Sequence, residues 1–551
     1  MAVEEDRSNE APVGSNREDT GGTARGSITV AAWTLVSRVS GLLRVVVIGA
    51  VLGPTFFANT FLSANTVPNL IYTAMAGPVL ALVLVPALAR SLAERGVAGS
   101  REMIHRVSGY LLLCASILAA AIILVSPLVA LALTAGIPDE DTRWRAWRLT
   151  VLVMLFVAPQ VLGYTLASIG AAVQQTRRRF ALASAAPAVE NFGMIATMAV
   201  VAVWFRPGAE IPDVTLGMVC VLGAGSTLSV LAHAGTQLWG AYRVGLPIRV
   251  RGGWSSDPDA RAVAQRLRAS VAVAAFPVAS MFAMLAVAAT VPGGVFVFQT
   301  AWSMYSVISA LGSKSVTVAS LPGMSAAARD GDRGPLGAAW RQALTYTVLS
   351  SLPAVCLLIA FAHPVASVLS NGELRDPMIV SWLAGCLAVM AISQFANAGY
   401  EVARQTLFAQ LNTAGPRQAG TAMMVLRILV GLCTLAVPAD GYRLVALCVA
   451  VLLGDLMAAV ICLYLVRASI RPERMVDWRM MAVIGVSTVA MLPAAVFGSW
   501  LTRELAHTQV SRVLLGLGMG LVAAACFGLV FVLLTKQFHA LLGKLRARLP
   551  G

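Results

Sequence analysis

Two arginines, Arg38 and Arg44, interrupt an apolar stretch near 28–51, inside Ser37-Arg38-Val39-Ser40-Gly41-Leu42-Leu43-Arg44. The stretch is long enough to cross a bilayer as a helix. A cation at bilayer depth costs roughly 2.5–3.5 kcal/mol on insertion scales, so a helix carrying two does not face lipid all round. It borders a wet cavity, and the cavity suits an anion. In a helix the two side chains sit about 9 Å apart along the axis and roughly 120° around it. They form no single stripe, but both can border a broad cavity, and Gly41 between them lets a helix or a ligand come close.

Five further ionisable residues interrupt apolar stretches. Lys314 stands in Gly312-Ser313-Lys314-Ser315, whose small polar neighbours argue for a hydrated wall. Glu190 follows Pro187, and Arg427 occupies nearly the equivalent place in the second half of the chain. Two readings stay open for them: a pair across the interface of two lobes that stabilises a gate, or two separate structural ion pairs. Asp455 either pairs with Arg427 or binds a coupling cation. Glu401 lies near a helix end, from which it can snorkel to water. Unpaired, the four cations would cost on the order of 10 kcal/mol. The acids offset part of that, and a diphosphate would offset the rest. Arginine offers it bidentate hydrogen bonds and lysine a point charge.

The elements that must hold these residues follow from composition. Of 551 residues 58% are hydrophobic and 12% charged, about half the charged fraction of a soluble chain. The fold class is all-α, a polytopic membrane protein. Apolar windows predict fourteen spans, near 28–51, 58–90, 107–135, 148–173, 180–205, 215–242, 269–291, 296–326, 338–368, 378–402, 418–438, 443–466, 480–501 and 511–535. The second and eighth hold internal Pro or Gly (Pro68, Gly77-Pro78; Gly312, Pro322-Gly323), breaks tolerated where backbone is covered by protein or lines a cavity.

With the N-terminus inside, most of the 41 Lys and Arg fall on cytosolic segments, which obeys the positive-inside rule and puts both termini in the cytosol. The isoelectric point of 10.0 thus reflects topology and contact with anionic membrane lipids, not nucleic acid. The eight cysteines all lie in apolar segments without a CxxC pair and the five histidines are scattered. They predict no disulfide, metal site or cofactor.

The acidic segment 1–27 reads as a disordered cytosolic tail rather than a signal peptide. The segment 244–268 reads as a cytosolic amphipathic linker between an N-lobe of six helices, 28–243, and a C-lobe of six, 269–468. Residues 469–551 add two helices and a basic cytosolic tail. A faint echo between Gln174-Gln175-Thr176 and Gln410-Leu411-Asn412-Thr413 supports two pseudo-symmetric lobes, between which transporters commonly put the substrate.

The first-helix motif, the Gly53-Pro54 turn, Phe57-Ala58-Asn59-Thr60-Phe61, Val67-Pro68-Asn69-Leu70 and Val85-Pro86-Ala87-Leu88-Ala89 together resemble the MurJ/MviN family of the MOP exporter superfamily. Leu321-Pro322-Gly323-Met324-Ser325 resembles the repeat partner of the Val-Pro segment. That family flips the peptidoglycan precursor lipid II, a glycan on undecaprenyl diphosphate, across the bacterial cytoplasmic membrane. The resemblance implies substrate contacts from Arg38, Arg44, Lys314, Asn59 and Asn69. Glu190, Arg427 and Asp455 would serve in gating or ion coupling, and the last two helices would form a groove for the prenyl tail. Coupling to Na⁺ or to the membrane potential, and association with cell-wall synthesis proteins, are also implied. The chain departs from the family pattern at Val45 and Asn59, where acids are usual, and at Tyr72, Thr73 and Ser303, where arginines are usual.

Two alternatives accompany this reading. A MATE-like drug or cation antiporter would want acids in the cavity, where this chain places cations. A non-transporting scaffold of the envelope machinery is kept in view by the missing charges. A membrane glycosyl- or acyltransferase would need acids or histidines at the external face. The loop Leu52–Thr55 has none, and Asp139-Glu140-Asp141 reads as a solvated loop, so no enzyme is expected.

Overall fold

The computed structural model describes residues 19–75, 77–177, 179–329, 333–471 and 474–546, and these form helices joined by short turns. The first half contains α1 (Asp19–Leu52), α2 (Phe56–Met75), α3 (Gly77–Thr134), α4 (Glu140–Val157), α5 (Gln160–Thr176), α6 (Phe180–Trp204) and α7 (Leu216–Arg243). After a linker come α8 (Pro258–Ala288), α9 (Gly294–Leu311), α10 (Ser313–Arg329), α11 (Arg333–Ala360) and α12 (Ala362–Leu369). Then follow α13 (Pro377–Ala409), α14 (Ala414–Cys433), α15 (Gly441–Ile470), α16 (Trp478–Leu505) and α17 (Gln509–Arg546).

Each expected span coincides with one helix or with two that meet at a break. Eleven helical stretches among the described residues are long and apolar enough to cross a membrane. The expected spans outside that set fall on α1, α2 and α8, and all three contribute side chains to the central cavities. The other extreme is α17, whose apolar window is only 6% buried and packs mainly on α16.

Three boundaries differ from the sequence reading. Helix α1 already includes Asp19, inside the segment expected to be tail; extending a formed helix fixes one residue per hydrogen bond gained. Helix α8 starts at Pro258, inside the expected linker. Asp257 caps it, accepting from the backbone N–H of Asp259 at 3.0 Å and of Ala260 at 3.1 Å, and Pro258 needs no partner at the first helical position. Helix α3 joins the second and third spans through Gly96, whose φ of 64° is open to glycine and reverses the chain without a loop.

In the first half α1 packs on α6, α6 on α7, α7 on α5 and α5 on α3; in the second α13 is flanked by α9, α11 and α15, with α14 on α15. Helix α8 touches α2, α3 and α14, bridging the halves.

The two ends of the molecule differ. At the end holding the C-terminus of α1, one apolar core unites both halves, from Leu52, Phe57 and Phe61 to Val291, Phe296 and Leu374. Backbones meet closely there. A Cβ on Gly49 would lie 2.2 Å from Leu374, and one on Gly372 would lie 2.5 Å from the Ala50 carbonyl. At the opposite end the cores formed by the described residues separate. One, around Trp340, Tyr400 and Leu407, belongs to the second half. Two others belong to the first half and share the linker residue Ile248, one of them also taking in the opening turns of α8.

Candidate substrate cavity

Between the halves lie two adjoining cavities of about 350 and 400 Å³ that share Met281 and Trp302 as their partition. The first is lined by α1, α2, α5, α6, α8 and α9, the second by α8, α9, α10, α13, α14 and α15.

Arg44 lines the first cavity and donates to Glu190 Oε1 at 3.3 Å. The Tyr164 hydroxyl donates to the same oxygen at 3.0 Å, and His233 Nδ1 lies 3.0 Å from Oε2. One carboxylate on α6 thus gathers groups from α1, α5 and α7. Asn69 lines the cavity too. Arg38 is exposed, nearer the open end, with no hydrogen bond or ion pair among the described residues. The helix carrying both arginines is held to α6 by Asn191, which donates to Ser37 O and Ser40 Oγ at 3.2 and 3.0 Å.

The second cavity is lined by Lys314, Arg404, Arg427 and Glu401. Behind it Asp455, fully buried, accepts from Arg427, from the Tyr305 hydroxyl at 3.0 Å and from the Ser393 hydroxyl at 2.6 Å. The Arg427 guanidinium lies 5.6 Å over the Trp302 ring, and that ring stacks on Tyr305 at 5.2 Å. Lys314 stands exposed at the Gly312 break between α9 and α10. The cationic surplus is therefore in the second cavity, whereas the first balances one arginine against one glutamate.

Several sequence expectations change. Glu190 and Arg427 do not meet; each belongs to its own ion pair, and Asp455 partners Arg427. Asn59 is buried away from both cavities. Its Nδ2 donates to Val291 O at 2.6 Å and Ala289 O at 3.2 Å, and its Oδ1 accepts from Val295 N at 3.1 Å. A side chain with its amide so spent ties the halves together and has nothing left for a substrate. Glu401 does not snorkel: α13 continues past it, and it is buried against Arg404. Two family departures, Val45 and Ser303, do line the first cavity. The side chains of Tyr72 and Thr73 lie outside the described residues.

Sequence reasoning missed Tyr164, His233, Trp302 and Arg404. Arg404 falls two residues beyond the predicted end of its span, although Tyr400 and Phe408, four residues either side, offer the ring faces over which it lies at 5.5 and 5.8 Å. His233 reaches Glu190 from another helix, and no local spacing announces that.

The architecture defines a class: a multi-pass helical membrane protein with two halves around a central pair of cavities, the fold that solved MurJ and MATE transporters share. A solved structure titled lipid II flippase MurJ, inward closed conformation, matches with TM-score 0.69 at 16% identity, covering 94% of this chain and 99% of that one. An inward-facing MATE multidrug transporter of the superfamily matches with TM-score 0.61 at 15% identity, covering 81% and 98%. Within that class the chain belongs to the MurJ family, for the family model described as lipid II flippase MurJ matches residues 48–517. Arg38 and Arg44 stand just ahead of the matched stretch. A lipid II flippase MurJ of Burkholderia cenocepacia is 24% identical over 370 residues, 67% of this chain and 70% of the relative. A probable lipid II flippase MurJ of Vibrio cholerae is 28% identical over 239 residues, 42% and 43% of the two chains.

Proposed function

We propose that this chain flips a polyprenyl-diphosphate-linked glycan, the peptidoglycan precursor lipid II, from the inner to the outer leaflet of the bacterial cytoplasmic membrane by alternating access. The observation that carries the reading is the asymmetry of the two ends. Among the described residues the halves share one core at the end where α1 terminates and keep separate cores at the other. With both termini cytosolic, the joined end is external and the cavities open inward, the state that accepts substrate. Arg44 and Arg38 on one wall, and Lys314 and Arg404 on the other, would then meet the diphosphate. Arg44 would exchange Glu190 for a phosphate oxygen, a charge-assisted contact of the same kind. Rocking of the halves would open the external end.

Transport would draw on Na⁺ or on the membrane potential, which supplies about 2.3 kcal/mol per elementary charge per 100 mV. Family membership and the cationic second cavity favour this reading over a MATE-like antiporter.

Native mass spectrometry of the chain purified from its membranes tests it. A co-purifying polyprenyl-diphosphate glycan is expected, and it should be depleted in Arg44→Ala. Absence of any such lipid, together with efflux of cationic drugs by reconstituted protein, would sink the proposal.

A further inference from the structure

A second basic site lies outside the cavities, where α3 passes the segment between the halves. That segment runs extended beside the helix: Arg251 N donates to His105 O at 3.1 Å, and His105 Nε2 lies 3.0 Å from Pro247 O. Helical spacing of four puts Arg101 and His105 on one face of α3. Extended spacing of two puts Arg249 and Arg251 on one side of the segment. The two rows meet around an open cleft of about 430 Å³.

The acid lining this cleft, Glu102, is already shared. It accepts from Arg106 at 2.7 Å and from Arg251 at 2.7 Å. Arg101 spends one donor on Gly245 O at 3.0 Å, and Arg249 makes no hydrogen bond or ion pair among the described residues. Positive charge therefore remains uncompensated on both rows. The cleft also has a depth. Two residues beyond His105, buried Val107 begins an apolar span. Exposed Val250 lies between the two linker arginines, and Trp254 lies 4.8 Å from Tyr110 between ring centroids. An aromatic and an exposed aliphatic residue beside arginines mark the level of lipid headgroups.

We propose that this cleft is a phosphate-binding site that takes the headgroup of an anionic phospholipid of the inner leaflet. The proposal rests on the cytosolic placement of this face in the reading above. It makes the joint between the halves a lipid contact distinct from the substrate cavity.

The full chain, exchanged into mixed micelles with equal phosphatidylglycerol and phosphatidylcholine, provides the test by native mass spectrometry. Wild type should retain phosphatidylglycerol in preference. Arg249→Glu should cut that preference about fivefold, and adding Arg101→Gln should cut it by about as much again, from roughly 1 kcal/mol per arginine at an anionic surface. Arg249 is exposed and has no partner among the described residues, so Arg249→Glu should keep the wild-type unfolding temperature. Unchanged preference in both variants would overturn the proposal. So would inorganic pyrophosphate binding to wild type without any preference for phosphatidylglycerol, which would assign the cleft to a soluble anion. Arg44→Ala should retain phosphatidylglycerol as wild type does. If wild type retains phosphatidylglycerol but co-purifies with no polyprenyl-diphosphate glycan and exports cationic drugs instead, the flippase reading fails while this site stands.

Discussion

Glu190 stands fourteen residues after Thr176, and Arg427 stands fourteen after Thr413. The two halves of the molecule thus place a charge at matching depth in matching helices, α6 and α14, with opposite sign. Each is answered from the following helix, by His233 on α7 and by Asp455 on α15. The repeated architecture settles where a buried charge sits and leaves its sign open, provided a packed helix supplies the counter-charge, α1 through Arg44 for Glu190 and α15 through Asp455 for Arg427. The halves also differ in access to water. The Asp455 side chain is 0% exposed, whereas Glu190 is 12% exposed and its partner Arg44 is 32% exposed. The second pair is sealed and holds its lobe together. The first lies at a cavity wall, where a partner can be exchanged.

The sharpest way to break this comparison is to remove the acid from each pair. Asp455→Ala takes the buried counter-charge from Arg427, itself nearly buried at the wall of the second cavity, and should cost about 3–5 kcal/mol, seen as a large fall in the unfolding temperature of purified protein. Replacing both partners, Asp455→Leu with Arg427→Met, should recover most of it, because two apolar groups leave no charge behind. Glu190→Gln should cost only about 1–2 kcal/mol, since Arg44 can turn to water in the cavity. Equal destabilisation by Asp455→Ala and Glu190→Gln would remove the distinction between a sealed pair and an exchangeable one.

How much of this was legible in the sequence follows from the same physics. Hydropathy located the membrane helices because a bilayer imposes one length on every span, and the charges inside them stood out by their cost. The likeness of position between Glu190 and Arg427 was visible, but their partners were not. His233 lies on another helix, and a histidine in an apolar run carries no local mark of its neighbour. Asn59 looked like a family acid replaced by another polar group. In the structure it caps the turn between α8 and α9 from the other half, a role set by a contact more than two hundred residues away. The start of α8 was readable and was missed: Asp257-Pro258 is an N-cap followed by a first-turn proline.

The next test concerns exchange at the first pair. Arg44→Ala removes a charge-assisted bond of about 1.5–3 kcal/mol. Flipping of lipid II in reconstituted vesicles should fall roughly ten- to a hundredfold, while the unfolding temperature stays near wild type. Full activity in Arg44→Ala would deny the first cavity a part in transport, leaving the cations of the second to act alone.

A smaller effect should come from the joint at the C-terminal end of α1, which in the proposed orientation is external and decides whether both cavities change sides together. Gly49→Leu puts side-chain atoms where Leu374 and Phe296 already lie. Overpacking of this kind costs about 1–3 kcal/mol, and only in the state closed to the outside. The outward-open population should rise accordingly. In a cysteine-free background carrying Gly49→Leu, an impermeant maleimide added outside should label Leu62→Cys in the first cavity and Ser306→Cys in the second to similar extents. Labelling of one cavity alone would mean that the halves do not move as units.

The smallest effect belongs to a third pair, closest to water. Arg95 bonds Asp257 at 2.9 Å and Asp259 at 3.4 Å, and the Arg95 side chain is 34% exposed. Screening leaves such a contact at most about 1 kcal/mol, and Asp257→Ala adds the loss of a helix cap, about 1 kcal/mol. Burial works to raise the Asp257 carboxyl, but the Ala260 N–H and the Arg95 guanidinium outweigh it and hold the group below its ordinary value of 3.8. A depressed carboxyl stabilises the fold fully above its unfolded value, and that contribution is lost as pH falls through the folded one. The gap in stability between wild type and Asp257→Ala should therefore be constant from pH 5 to 7 and close below about pH 4. The share due to Arg95 should shrink as salt shortens the Debye length from about 10 Å at 0.1 M to 3 Å at 1 M, whereas the sealed Asp455 pair should show no such dependence. Salt sensitivity at Asp455 equal to that at Asp257 would mean that burial does not rank the three pairs.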